Sequence, residues 1–245
     1  MFESKRILIS ENEKKWCLNS DVKLTYPGDS LYPQSFYNLE LQPSYLFYMG
    51  EPIWQTHKLL SVVGSRTPQL ASLNWLDQTL GDLLTNKEFA IVSGGARGID
   101  QKAHQMAVRM GRPTLVFLPS GLMCMYPKNL VEWVRPILQA GGCIMSQFTP
   151  NAEMRKGYFR KRNELIAAVS PMTLVVECKR RSGTLLTAGF ALTMGKTVGV
   201  MPTFPGEAGM GGLDILQESP ALVIRDSMDI QSAFNDISKL ISGKS

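Results

Sequence analysis

From residue 59 onward, short, uniformly apolar runs alternate with amphipathic stretches of helical length, and no other feature restricts the fold as much. The spacing predicts strands at Leu59–Val63, Phe89–Val92, Thr114–Leu118, Cys143–Ser146, Met172–Glu177, Thr197–Met201 and around Ala221–Ile224. Between them it predicts helices at Ser72–Leu84, Ile99–Met110, Leu130–Ala140 (interrupted by Pro136), Arg162–Val169, Thr184–Met194 and near Ile230–Ile241. A run such as Leu174-Val175-Val176 has no polar face, so it suits a parallel strand covered on both sides. The expected fold class is therefore α/β: a doubly wound, mostly parallel, Rossmann-like sheet with right-handed crossovers.

Residues 1–58 break the pattern. They are rich in Tyr, Pro, Ser and Asn and show little helical period, although Tyr45-Leu46-Phe47-Tyr48 reads as a strand added to the edge of the main sheet. We expect a single domain, with an N-terminal extension (1–58) packed on a Rossmann-like core (59–245). At 245 residues and 44% hydrophobic content, the chain is long enough to bury such a core. No apolar run approaches the roughly 20 residues of a membrane span. The opening MFESKRILISENEKK lacks the apolar stretch of a secretory signal, so a cytoplasmic protein without a membrane role is expected. Cys17, Cys124, Cys143 and Cys178 are scattered and the chain has only 2 His, which argues against a disulfide framework or a metal site.

Charge is concentrated. Net charge is +5 overall, yet residues 155–181 alone carry +6, from Arg155, Lys156, Arg160, Lys161, Arg162, Lys179, Arg180 and Arg181 against Glu164 and Glu177. A solvated surface loop would account for such a run. A polyanion site would account for it as well, because clustered cations displace counterions from a phosphate backbone. Tyr158 and Phe159 lie inside the cluster, and rings among cations suit a single-stranded nucleic acid, whose bases stack while its phosphates meet the charges.

Ligands of open parallel sheets bind where strands end and loops enter helices. Three such loops are candidates. Gly64-Ser65-Arg66-Thr67-Pro68 offers a tight turn, a Ser65 or Thr67 cap for the next helix, and an Arg for phosphate. Ser93-Gly94-Gly95-Ala96-Arg97-Gly98-Ile99-Asp100 brings backbone N–H groups near a ligand, but it lacks GxGxxG spacing. Asp100 is placed to pair with Arg97, and His104, one helical turn further, reads as a packed core residue. Ser182-Gly183-Thr184-Leu185-Leu186-Thr187 is an anion-ready turn beside Lys179-Arg180-Arg181. Gly195-Lys196-Thr197 mimics the end of a P-loop but precedes a strand, so an ATPase site is rejected.

In order along the chain, Val63-Gly64-Ser65-Arg66, Ser93–Asp100 with Ala103-His104, Gly121 and Tyr126-Pro127, Phe159-Arg160-Lys161-Arg162-Asn163, Val175-Val176-Glu177, Ser182–Ala188 and Met201-Pro202 resemble the DNA-processing protein A (DprA/Smf) family. Tyr26-Pro27 to Leu46-Phe47-Tyr48-Met49-Gly50 resembles that family's lead-in, so the likeness covers roughly residues 20–225. The resemblance implies a non-catalytic protein without a cofactor. It implies a homodimer that binds and protects single-stranded DNA and hands it to a RecA-type recombinase during natural transformation or recombination. By position it implies that Arg66 and Lys156 contact phosphate and that Phe159 packs on a base. Asn163, Gly64, Ser65, Gly94, Gly95, Arg97, Arg162, Lys179, Arg180, Ser182, Gly183 and Thr184 would line the same DNA site.

Two positions depart from the family. Ser146-Gln147 replaces Ser-Glu, which bears on an internal ion pair, and Gly211-Gly212-Leu213-Asp214 replaces a segment ending in Asn. The expected unit is the core alone, without the helical and winged-helix modules of many relatives. Two other readings share the fold: a nucleotide-binding sensor, and a hydrolase like the lysine-decarboxylase-like (LOG) group. The second meets an obstacle at Thr187, which stands where that group's acid–base Glu belongs.

Overall fold

The computed structural model describes residues 9–202 and 206–243, so the first eight residues of the N-terminal stretch lie outside the described residues. The elements run α1 (Glu11–Asn19), β1 (Lys23–Thr25), β2 (Leu46–Gly50), β3 (Lys58–Gly64), α2 (Leu70–Leu83), β4 (Phe89–Ser93), α3 (Ile99–Arg109), β5 (Thr114–Phe117), α4 (Val131–Gln139), β6 (Cys143–Ser146), α5 (Lys156–Val169), β7 (Met172–Val176), α6 (Gly183–Thr193), β8 (Thr197–Val200), α7 (Met210–Glu218), β9 (Leu222–Val223) and α8 (Ser227–Ser242). They form a 9-stranded sheet in the order β1-β2-β6-β5-β4-β3-β7-β8-β9. Strands β3 to β9 pair in parallel, and β2 and β1 add antiparallel beyond β6.

Both faces of the sheet are apolar, and the two-residue period of a strand divides them. Leu59 and Val63 of β3 face α5 and α6 together with Tyr32 and Phe36 of the N-terminal extension. Leu60 and Val62 face α2, α3 and α8. Ser61, the polar interruption on the first face, is satisfied: its hydroxyl donates to the Ile166 carbonyl at 2.6 Å. From β3 the chain winds outward through β4, β5 and β6, then returns to start β7 on the other side of β3. The strand order therefore reverses between β3 and β7, and that crevice is where such sheets take ligands.

Four local expectations are corrected. Helix α1 was not anticipated. It opens with a reciprocal capping box between Ser10 and Glu13 and buries Glu13 and Cys17, so its inward face carries no apolar stripe. Helix α5 starts at Lys156 rather than Arg162, because its inward positions include Arg162, a charge that hides the period. Helix α4 continues through Pro136 instead of being interrupted there. Helix α7 is built on Gly211 and Gly212, residues that signal a loop in sequence. Gly195-Lys196 forms the turn into β8, consistent with rejection of a P-loop. No helix among the described residues is long and apolar enough to cross a membrane.

Candidate nucleic-acid interface

The crevice beyond β3 and β7 opens into a cavity of about 490 Å³. Its walls come from three segments distant in sequence. Gly64, Ser65 and Arg66 follow β3, Lys156, Phe159 and Asn163 stand on the first two turns of α5, and Lys179, Ser182, Gly183 and Thr184 follow β7. Side chains lace these walls together. Thr184 Oγ1 donates to the Gly64 carbonyl at 3.0 Å and Asn163 Nδ2 donates to the Gly183 carbonyl at 3.2 Å. Gly98, at φ +83°, lets the Gly94–Gly98 loop lie against the Arg66 backbone, and Ile99 N–H donates to the Ser65 carbonyl at 3.1 Å.

Phe159 is half-buried at the centre of this arrangement. The Arg66 guanidinium lies 5.7 Å from its ring centroid and that of Arg162 lies 5.8 Å away, both within cation–π range. Tyr126 meets the same ring edge-to-face, with centroids 5.7 Å apart and planes at 89°. Arg66 and Lys156 are exposed and have no ion-pair partner among the described residues. Their charge is free for an anion.

The remaining nominated residues sit elsewhere. Arg162 is only 4% exposed and forms the floor rather than the rim. Its Nη1 lies 3.6 Å from Asp100 Oδ2, and its guanidinium fills the space that a side chain on Gly94 would need. Asp100 thus pairs with Arg162 and not with Arg97, which is exposed and does not line the cavity. Gly94 and Gly95 are buried behind the floor. Arg180 turns outward into a bidentate pair with Asp214 at 2.6 and 2.7 Å. Asp214 thus pairs with a cation of the chain's own basic block.

Below the floor lies His104. Its Nδ1 is 2.7 Å from Thr114 Oγ1, and that hydroxyl is itself 2.9 Å from the Ile91 carbonyl, to which it donates. With its one hydrogen so used, Thr114 accepts from His104, which fixes the proton on Nδ1. Nε2 is buried without a partner, and a second proton there would face burial first and the Arg162 charge second; the pKa falls to about 3. The unfolded value is about 6.5, so this contribution to stability is complete above that pH and is lost progressively toward pH 3. The melting temperature is expected to fall as pH is lowered from 6.5 to 4. A His104→Gln variant should show a shallower fall, and an identical pH profile would contradict the assignment.

Carboxylates of this chain stand beside the starts of α2 and α3. Neither Ser65 nor Thr67 caps α2. Instead Glu177, at φ +51° after β7, accepts from the Gln69 N–H at 2.7 Å and the Ser72 hydroxyl at 2.6 Å. Asp100 Oδ2 accepts from the Ala96 N–H at 3.3 Å, across the mouth of the Gly94–Gly98 loop. Two helices present their first turns to the cavity: α6, capped by Ser182, and α5, whose N-cap Arg155 makes no side-chain cap bond. Thr187 is buried, and its hydroxyl donates within α6 to the Gly183 carbonyl at 3.3 Å.

Sequence reasoning quoted Glu177, Tyr126 and Asp100 within its motifs but gave none of them a place among the site residues. Glu177 could have been suspected from its place at the end of an apolar strand. Tyr126 could have been suspected from the aromatic–Pro dipeptide it forms with Pro127.

Comparison with known proteins places this geometry. The family model described as DNA recombination-mediator protein A matches residues 23–235. Protein Smf of Escherichia coli (strain K12) is 32% identical over 206 residues, covering 83% of this chain and 54% of Smf. DNA processing protein DprA of Streptococcus pneumoniae is 28% identical over 206 residues, covering 84% of this chain and 72% of that protein. The chain thus spans about half the length of the Smf relatives. Among solved structures, the X-ray structure of DprA from S. pneumoniae superposes with a TM-score of 0.79 at 27% identity, covering 89% of this chain and 77% of that one. DNA processing protein A from Helicobacter pylori, solved for its single-stranded DNA binding mode, gives 0.77 at 26% identity, covering 87% of this chain and 97% of that one.

Proposed function

The chain belongs to the DNA recombination-mediator protein A family, and on that premise we propose that the crevice is a non-catalytic binding site for single-stranded DNA. The bound strand is protected and passed to a RecA-type recombinase in natural transformation or recombination, by a homodimer acting in the cytoplasm. One observation carries the reading: a half-buried ring, Phe159, lines an open groove together with Arg66 and Lys156, cations without an ion-pair partner among the described residues. A base stacks on such a ring while neighbouring phosphates meet the charges.

The spread of the free cations favours a polymer over a mononucleotide. A sensor or a nucleotide hydrolase on this fold would seat its phosphate on backbone N–H groups. Here Glu177 and Asp100 put negative charge beside the starts of α2 and α3, and spaced side-chain cations suit phosphates spread along a chain. Competition between single-stranded oligonucleotides of graded length, a duplex of equal length and nucleoside monophosphates tests this. Long single strands should win by orders of magnitude with no release of free base. Equal competition by a mononucleotide would favour the sensor, and base release would favour the hydrolase.

A further inference from the structure

We infer that Tyr126 is a second base platform and that, set at right angles to Phe159, it makes the groove select a single strand by turning it. The inference rests on the single-stranded DNA reading above. Both rings are partly exposed, Tyr126 by 38%, and neither belongs to the apolar clusters that form the core. A packed core would not need this pair of rings. Their interplanar angle of 89° is the feature that a ligand would read.

The Tyr126 loop is braced on both flanks. Before it, the Gly121 N–H donates to the Ala152 carbonyl at 2.7 Å and the Met123 N–H to the Pro150 carbonyl at 2.8 Å. The Gly121 α-carbon lies so close to the Thr149 and Pro150 carbonyls that no side chain fits there. After it, Leu130 is buried against Gly95 at the back of the floor, and Gln101 Nε2 donates to Asn129 Oδ1 at 3.5 Å. With its loop braced on both flanks and its ring against Phe159, Tyr126 is preorganised for a planar partner. Lys128, two residues beyond it, is exposed.

Successive bases in a stacked strand lie parallel. They cannot cover two orthogonal rings unless the strand unstacks and turns between them. A single strand makes that turn at low cost, whereas a duplex would also have to break pairing. The corner therefore discriminates by shape, independently of the cations, which attract both forms.

The test is Tyr126→Ala and Tyr126→Phe in the full chain, with anisotropy titrations of a single-stranded oligonucleotide and its duplex and a melting curve for each variant. Tyr126→Ala is expected to weaken single-strand binding on the order of tenfold, as removal of one stacking platform does. Duplex affinity, salt slope and melting temperature should stay unchanged, and Tyr126→Phe should bind like wild type. Tyr126→Leu, which keeps bulk without a π face, replaces the alanine variant if that fails to fold. Wild-type affinity in a folded Tyr126→Ala or Tyr126→Leu protein overturns the inference, as does an equal weakening for single strand and duplex. If wild type itself shows no preference for single strands, the DNA reading fails first. If wild type prefers them and only the Tyr126 variants are silent, this inference alone fails.

Discussion

Replacing Asp100 with alanine is expected to lower the unfolding free energy by about 3–5 kcal/mol, the usual cost of removing one partner from a buried ion pair. Arg162 cannot escape the consequence. Its side chain is 5% exposed, its Nε is already without a partner, and a guanidinium does not neutralise itself at accessible pH. The pair does not hold an ideal geometry either: its closest approach is 3.6 Å, and burial pushes the Asp100 carboxyl up against the pull of Arg162. A volume-matched apolar pair, Asp100→Leu with Arg162→Met, should therefore recover most of the stability that Asp100→Ala removes. Urea unfolding of the three proteins measures this. A single variant within about 1 kcal/mol of wild type would show that the pair carries little, in the range of an exposed salt bridge. The double variant should still bind DNA poorly, because the guanidinium also lies 5.8 Å from the Phe159 ring and occupies the space beside Gly94.

Phe159→Ala is expected to weaken single-strand binding by about 1–3 kcal/mol, or roughly 5- to 150-fold, since it removes a stacking surface outright. The salt dependence should not change, because every phosphate keeps its cation. Phe159→Trp keeps a π face and should retain most of the affinity. Titration at several salt concentrations separates the two effects. A flatter slope in Phe159→Ala would mean that the ring acts by positioning Arg66 or Arg162 rather than by stacking.

The sheet was readable from the sequence because its strands, β3 and β7 above all, are apolar on both faces, a pattern few other structures need. The elements that escaped reading are those whose inward face is polar or glycine-rich. Helix α5 hides its first two turns behind Arg162, whose burial is tolerable only because Asp100 arrives from α3. Helix α1 buries Glu13, whose carboxylate also accepts from the Asn151 N–H at 3.0 Å, a partner 138 positions away. Its Ser10–Glu13 spacing was nonetheless a legible cap signal.

The candidate site divides in the same way. Arg66, Lys156 and Phe159, nominated from the basic cluster, the first loop and the family resemblance, do line the cavity. The distant partners through which other residues act could not be read from spacing. Arg97 was a reasonable mate for Asp100 by spacing, but the helix carries Asp100 inward to Arg162 while Arg97 faces solvent. Arg180 was counted with its basic neighbours, yet its charge is spent on Asp214 from α7, a helix that the glycines concealed.

Unpaired cations that grip a polynucleotide backbone beside a ring are the physical centre of the proposed function. Their most direct test is the dependence of single-strand affinity on salt for wild type and Arg66→Ala/Lys156→Ala, with Arg180→Ala as control. The double variant should bind more weakly, with a log–log slope flatter by about 1.4, near 0.7 for each phosphate that is no longer neutralised, while Arg180→Ala keeps the wild-type slope. Equal affinity and slope for wild type and the double variant across the series would contradict it.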